Sequence, residues 1–166
     1  TYFGEEEIQW TNQSEKTIGL ILSIILIQIV AILGAFLAAK SSSRYGNIKT
    51  LIVINLIWGV LCLVAFFIKT PIQFYFVAAF VGLVMGALQP LSRSTFSKFM
   101  PETVDTTSYF SFYGVTEKIS IIIGMFLFGF IDQITGSMRN SILTFLFFFI
   151  LGAYLLMRIS KKFEIN

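Results

Sequence analysis

Glu117 and Lys118 stand side by side in SYFSFYGVTEKISIIIG, a stretch otherwise dominated by apolar and hydroxyl residues. A charge there needs a reason, because an Asp, Lys or Arg at the centre of a membrane helix costs roughly 2.5–3.5 kcal/mol and usually faces a bundle interior or a water-filled cavity. In one reading Glu117 takes and releases a proton or pairs with a cationic solute group, and Lys118 is a charge partner or anion contact. In the other, Lys118 snorkels to the headgroups and Glu117 pairs locally with a loop Arg or Lys. Adjacent helical residues diverge by about 100°, so the two cannot face one partner squarely. Both readings of Glu117 stay open at this stage, while Lys118 reads better as structural. Gln89 and Gln28 are the neutral candidates for lining a polar cavity. There is no His, and the single Cys62 lies in an apolar run. Neither a metal site of the usual nitrogen and sulfur ligands nor an internal disulfide follows from such a set. No paired Asp or nucleophile with a base appears inside the apolar runs, so an enzyme is not expected and no cofactor is implied.

The elements that hold these residues are membrane spans. Of the 166 residues, 56% are hydrophobic and 13% charged, and the mean hydropathy is +0.83. Soluble domains are about 45–50% apolar and about 25% charged. A bilayer core about 30 Å thick takes about 20 mostly apolar residues per helix. Five such runs are present, at residues 17–39, 51–68, 74–91, 109–131 and 141–159. They are too continuous for membrane strands, which alternate over about 10 residues. The fold class is all-α, a polytopic transmembrane bundle of about five helices forming one membrane domain over 1–166.

Charge sets the expected orientation. Lys40, Arg44 and Lys49 follow the first run, Arg93 and Lys98 the third, and Arg158, Lys161 and Lys162 the fifth. These are alternate connections, and the positive-inside rule makes them cytoplasmic, with the C-terminus on that side. Glu5, Glu6, Glu7 and Glu15 crowd the opposite side, which has Lys16, Lys69 and Arg139 as its only basic residues. The pI of about 9.1 and net charge of +3 are thereby explained by topology, without nucleic acid as a partner. Thr1 opens into TYFGEEEIQW without an initiating Met or a signal-peptide pattern, which reads as the start of a fragment.

Gly82 and Gly86 lie four apart in the third run, a spacing that lets helix backbones approach closely. Gly124, with Gly114 and Gly129, offers the fourth run similar freedom. Pro90 lacks an amide hydrogen and is expected to bend or loosen the end of the third helix. The fifth run, with Phe145, Phe147, Phe148 and Phe149, reads as lipid-facing, and Asn55 and Trp58 are the notable groups of the second.

The stretch GAFLAAKSSSRYGNIK, from Gly34 to Lys49, resembles the degenerate loop signature of the major facilitator superfamily. Gly34, Arg44, Gly46 and Lys49 match it, and Ser43 stands where the family has Asp, so the family's acidic charge relay is not carried over. GLVMGALQPLSRSTFSKFMPE from Gly82, YFSFYGVTEK from Tyr109 and TGSMRNSIL from Thr135 are similar to one branch of that superfamily. The branch comprises the fungal vacuolar amino-acid effluxers linked to autophagy and their bacterial relatives. The resemblance implies two six-helix halves with solute bound near the midplane between them. The five runs would be the eighth to twelfth helices and TYFGEEE the tail of the seventh, so the seventh helix and the N-terminal half are the missing partners. It also implies that Gln28, Gln89, Thr116 and Glu117 fall on cavity-side helices. Asn55, on an outer helix, does not fit that pattern.

The resulting expectation is part of a secondary transporter in the bilayer of a bacterial inner (cell) membrane. It moves a small polar solute, amino acids being the implied class, by alternating access, with protons as the implied coupling ion. The rival expectation is a non-transporting bundle that serves as an assembly scaffold and self-associates through Gly82 and Gly86.

Overall fold

The computed structural model describes residues 2–102 and 105–164. Among these residues all regular structure is helical: α1 Tyr2–Glu6, α2 Gln13–Tyr45, α3 Asn47–Phe67, α4 Pro71–Phe99, α5 Thr106–Thr135 and α6 Met138–Glu164. The last five are long and apolar enough to cross a membrane, which establishes the multi-pass class. Each begins before the apolar run that marks it, and all but α3 also end beyond it. At 1.5 Å per residue the 33 residues of α2 span about 50 Å, against a hydrocarbon core of about 30 Å. Hydropathy marks only the part of a helix that lies in lipid, whereas backbone hydrogen bonding continues into the headgroup layer under polar side chains.

Local chemistry fixes the ends. Asn12 caps α2 by accepting the Glu15 amide at 2.8 Å, and Thr70 caps α4 in a reciprocal arrangement with Gln73, just before Pro71. The segment expected as a loop after the first run is almost entirely helical. Only Gly46 leaves the helix, with φ of +87°, and Asn47 begins α3 at once. A residue with a Cβ is strained at that φ, so the position favours Gly. Gly34, Arg44 and Lys49 therefore lie on helices, and the loop signature describes a one-residue corner between two of them.

The buried core lies where α2, α3 and α4 meet, and two helix pairs make the most extensive contacts. In the first, α2 packs on α4 through small residues: a Cβ on Gly34 would collide with the Leu83 carbonyl, and one on Gly86 with that of Ala31. A Cβ on Gly82 would meet the backbone of Ile27. The second pair is α3 on α6, and it explains Asn55, whose side-chain amide donates to the Phe149 carbonyl. Trp58 stacks on Phe149, with ring centroids 5.5 Å apart and planes 4° from parallel. The Phe-rich run is thus divided. Phe147 and Phe148 are exposed, whereas Phe149 packs on α3 and Phe145 stacks on Phe128 of α5. Phe145 and Phe149, four residues apart, share one face of α6, whereas Phe147 and Phe148 project from the other side, so no single environment serves all four.

Pro90 does not end α4, which continues nine residues to Phe99. Gly124 makes no close backbone crossing: a Cβ there would sit 3.7 Å from the Phe145 ring, an ordinary contact. Helix α5 contains no buried residue among those described.

Candidate functional site

Helix α5 meets α4 through a cluster at the basic end of the bundle. Phe96 packs against Tyr113 and Phe110, with centroids 5.0 and 5.9 Å apart. One turn before Phe96, the Arg93 guanidinium lies 6.0 Å from the centre of the Tyr113 ring and reaches Glu117 at 3.5 Å. Glu117 thus pairs with a neighbouring cation, and that cation is on a helix, not in a loop. The pair is open: the Arg93 side chain is 64% exposed and that of Glu117 34%. Its hydrogen bond is at the long limit, so it contributes little to stability, on the order of 0–1 kcal/mol for an exposed pair. Such a contact can break and re-form as its surroundings change.

The other sequence candidates are arranged around this pair without joining it. Gln89 is exposed one turn before Arg93 on α4. Thr116 is exposed and donates its hydroxyl to the Phe112 carbonyl at 2.8 Å, a bond internal to α5. Lys118 is exposed and has no partner among the described residues. Gln28 is exposed on α2, next to the Ile27 that receives Gly82. Among the described residues no hydrogen bond links Gln28, Gln89, Thr116 or Lys118 to Glu117.

Two polar clusters escaped the sequence. The first joins α3 to α4: the buried Asn47 donates to Ser94 and Thr95 at 3.3 and 3.2 Å and accepts from the Lys98 ammonium at 2.9 Å. Its signal was the polar spacing of Ser94, Thr95 and Lys98 on one helix face, but only the corner at Gly46 brings Asn47 to them. The second lies at the acidic end. Arg139 donates to the Glu7 carboxylate at 2.7 Å and to the Phe66, Ile68 and Glu7 carbonyls at 2.7, 2.8 and 3.1 Å. It closes the C-terminal end of α3, the start of α6 and the segment after α1 around one cation. Glu7 and Arg139 are 132 residues apart, and nothing local announces the pair.

A cavity of about 400 Å³ lies between α2, α3, α4 and α6, with Phe3 of α1, Trp58, Phe74 and Phe145 in its wall. The Trp58 indole N–H and the Ser141 hydroxyl are buried without hydrogen-bond partners among the described residues. The wall is apolar and aromatic, unlike the open charged cluster between α4 and α5.

Residues 1–163 match the family model described as "Vacuole effluxer Atg22 like". The chain is 28% identical over 137 residues to the "Uncharacterized MFS-type transporter YxiO" of Bacillus subtilis, covering 82% of this chain and 32% of that one. It is 34% identical over 148 residues to "Autophagy-related protein 22" of Saccharomyces cerevisiae, covering 82% and 27%. To the protein of the same name from Vanderwaltozyma polyspora it is 32% identical over 160 residues, covering 90% and 29%. The chain therefore spans about a third or less of the length of these curated relatives. No solved structure gives a significant match. With a family model covering nearly every residue and five membrane-length helices beneath it, the chain belongs to the Atg22-like vacuole effluxer family of membrane transporters.

Proposed function

We propose that this chain is the greater part of the C-terminal half of a secondary transporter that moves a small polar solute, amino acids among them, by alternating access. The single observation that carries the reading is the exposed Arg93–Glu117 pair across the α4–α5 contact. The 30 residues of α5 span about 45 Å, so about 7 Å protrudes at each end of a 30 Å core. Glu117, eleven residues into the helix, then lies about 9 Å below the lipid boundary. A weak ion pair at that depth has a direct use. Protonation of Glu117 releases Arg93, which can then receive the carboxylate of a solute; deprotonation restores the pair and expels it. Gln89 and Thr116, a turn or less from the pair along their helices, can supply neutral hydrogen bonds.

The complete protein, in this proposal, carries a seventh helix continuing upstream from α1 and a further six-helix half. The apolar cavity beside Phe3 and the absence of buried residues on α5 supply a seat and an uncovered face for that helix. The basic end of the bundle is assigned to the cytoplasm and the membrane to the bacterial inner membrane, on the charge asymmetry between the ends. The scaffold reading relied on Gly82 and Gly86 as a self-association face. That face is used within the chain, against Ile27 and Ala31 of α2.

The test is solute flux into proteoliposomes of the complete protein, over a broad amino-acid panel and with an imposed proton gradient. Gradient-driven uptake that is lost in Glu117→Gln, with solute exchange retained, is the expected result. An absence of flux across the panel would refute the transport reading, and unchanged coupling in Glu117→Gln would remove the carboxylate from the mechanism.

A further inference from the structure

The close fit of α2 on α4 leaves α2 only lightly packed on α3, and a cleft of about 490 Å³ opens between them. Its deep end is walled by Gly34, Leu37, Val53 and Ile57, and its mouth by Ser41, Tyr45 and Lys49. From Gly34 to Tyr45 the cleft follows α2 for eleven residues, about 16 Å. The part within the apolar runs, Gly34 to Ala39 and Leu51 to Ile57, is about 8–9 Å deep, and the stretch from Ser41 to Tyr45 lies at headgroup level. Its walls are open to the surroundings, since Leu37, Val53 and Tyr45 are 52%, 55% and 59% exposed.

Polarity changes along the cleft in one direction, from aliphatic at depth to hydroxyl, phenol and ammonium at the mouth. The charge at the mouth is cationic. The Arg44 guanidinium lies 5.4 Å from the Tyr45 ring, and Lys49 stands on the other side of the Gly46 corner. An apolar slot below the headgroup layer with cations at its surface end matches the upper part of a phospholipid chain beneath an anionic headgroup. A second copy of this chain fits poorly. Related by an axis along the membrane normal, two such clefts would bring their cationic mouths together.

We propose that the α2–α3 cleft binds an anionic phospholipid of the leaflet on the Gly46 side, with an acyl chain between Leu37 and Val53 and the phosphate at Lys49 and Arg44. The corner that the loop signature marks then doubles as a headgroup site.

The proposal is tested with the complete protein in nanodiscs containing phosphatidylglycerol whose acyl chain bears a photoreactive diazirine, with crosslinks located by peptide mass. The label should concentrate between residues 34 and 57. Unlabelled phosphatidylglycerol should displace it better than phosphatidylcholine does, by roughly fivefold for each cation engaged. Lys49→Gln with Arg44→Gln should erase that preference, and Val53→Trp, which fills the slot and leaves both cations, should abolish the label. Even labelling of all spans, equal displacement by phosphatidylcholine, or a cleft covered by a second copy or by the rest of the protein would overturn it.

Discussion

Two arginine–glutamate pairs stand at opposite ends of this bundle, and they differ in almost every physical respect. Arg139 at the acidic end is 17% exposed, and it binds Glu7 at 2.7 Å and three backbone carbonyls. Arg93 at the basic end is 64% exposed, and a 3.5 Å approach to Glu117 is its one ion pair among the described residues. Charge-assisted bonds to fixed carbonyls hold a geometry, and removing one partner strands the others in a poorly solvated site. A single long contact between exposed side chains holds little and can exchange. The same two residue types thus form a clamp at one end and a releasable contact at the other, and the difference lies in burial and in the number of fixed acceptors.

Breaking the clamp should have the largest effect. Arg139→Ala leaves the Glu7 carboxylate and three carbonyls without their donor, and should cost about 3–5 kcal/mol in reversible unfolding of the complete protein in mild detergent. A loss under 1 kcal/mol would mean that water replaces the guanidinium freely. Next comes the crossing that keeps the α2–α4 pair rigid. Gly86→Leu drives a side chain into the Ala31 carbonyl and should cost about 1–3 kcal/mol or more in the same assay. Gly129→Ala meets nothing within 4 Å and should leave stability unchanged or raise it by about 0.5–1 kcal/mol through the helix preference of Ala.

The releasable pair should behave in the opposite way. Arg93→Gln is expected to change unfolding free energy by less than about 1 kcal/mol while greatly slowing solute flux. A stability loss as large as that of Arg139→Ala would place both pairs in one class. The smallest effect belongs to the α5 start, where Asp105 caps the helix by accepting the Ser108 amide at 3.1 Å. Hydrogen bonds from Ser108, its side chain first and its backbone amide second, hold the Asp105 carboxyl below its ordinary value. Its contribution is therefore present above the ordinary carboxylate pKa and lost as pH falls through the lowered one. Stability measured from pH 6 down to pH 2 should show a small decline in that lower window, absent from Asp105→Asn.

The contrast also shows what a sequence of this kind makes legible. Run length and composition identify all five spans, because the bilayer imposes one length and one solvent on every helix. Charge alternation separates the two ends, and the Gly82–Gly86 spacing marks a helix face, though not which helix meets it. Glu117 is legible as a charge out of place. Its partner is not, because Arg93 sits 24 residues away, beyond the apolar run of its own helix. Arg139 is legible only as an outer charge, since its acceptors are carbonyls that every residue carries. Asn55 is out of place on an outer helix by sequence alone, and the Phe149 carbonyl opposite it accounts for it. Polar residues that bind backbone leave no pairwise trace in a sequence, whereas apolar periodicity does.

The most direct test of the account is the distance across each pair during turnover, measured by pulsed electron paramagnetic resonance in liposomes. The complete protein, with Cys62 and any further native cysteine replaced by Ala, would carry spin labels at Ser97 and Tyr109 near the Arg93–Glu117 contact, or at Gln9 and Asn140 flanking the Arg139–Glu7 clamp. The Ser97–Tyr109 distance should redistribute by several ångströms when transported solute or acid pH is applied, while the Gln9–Asn140 distance stays fixed. An α4–α5 distance that holds constant while solute is moving, or a clamp that opens in step with it, would contradict this expectation.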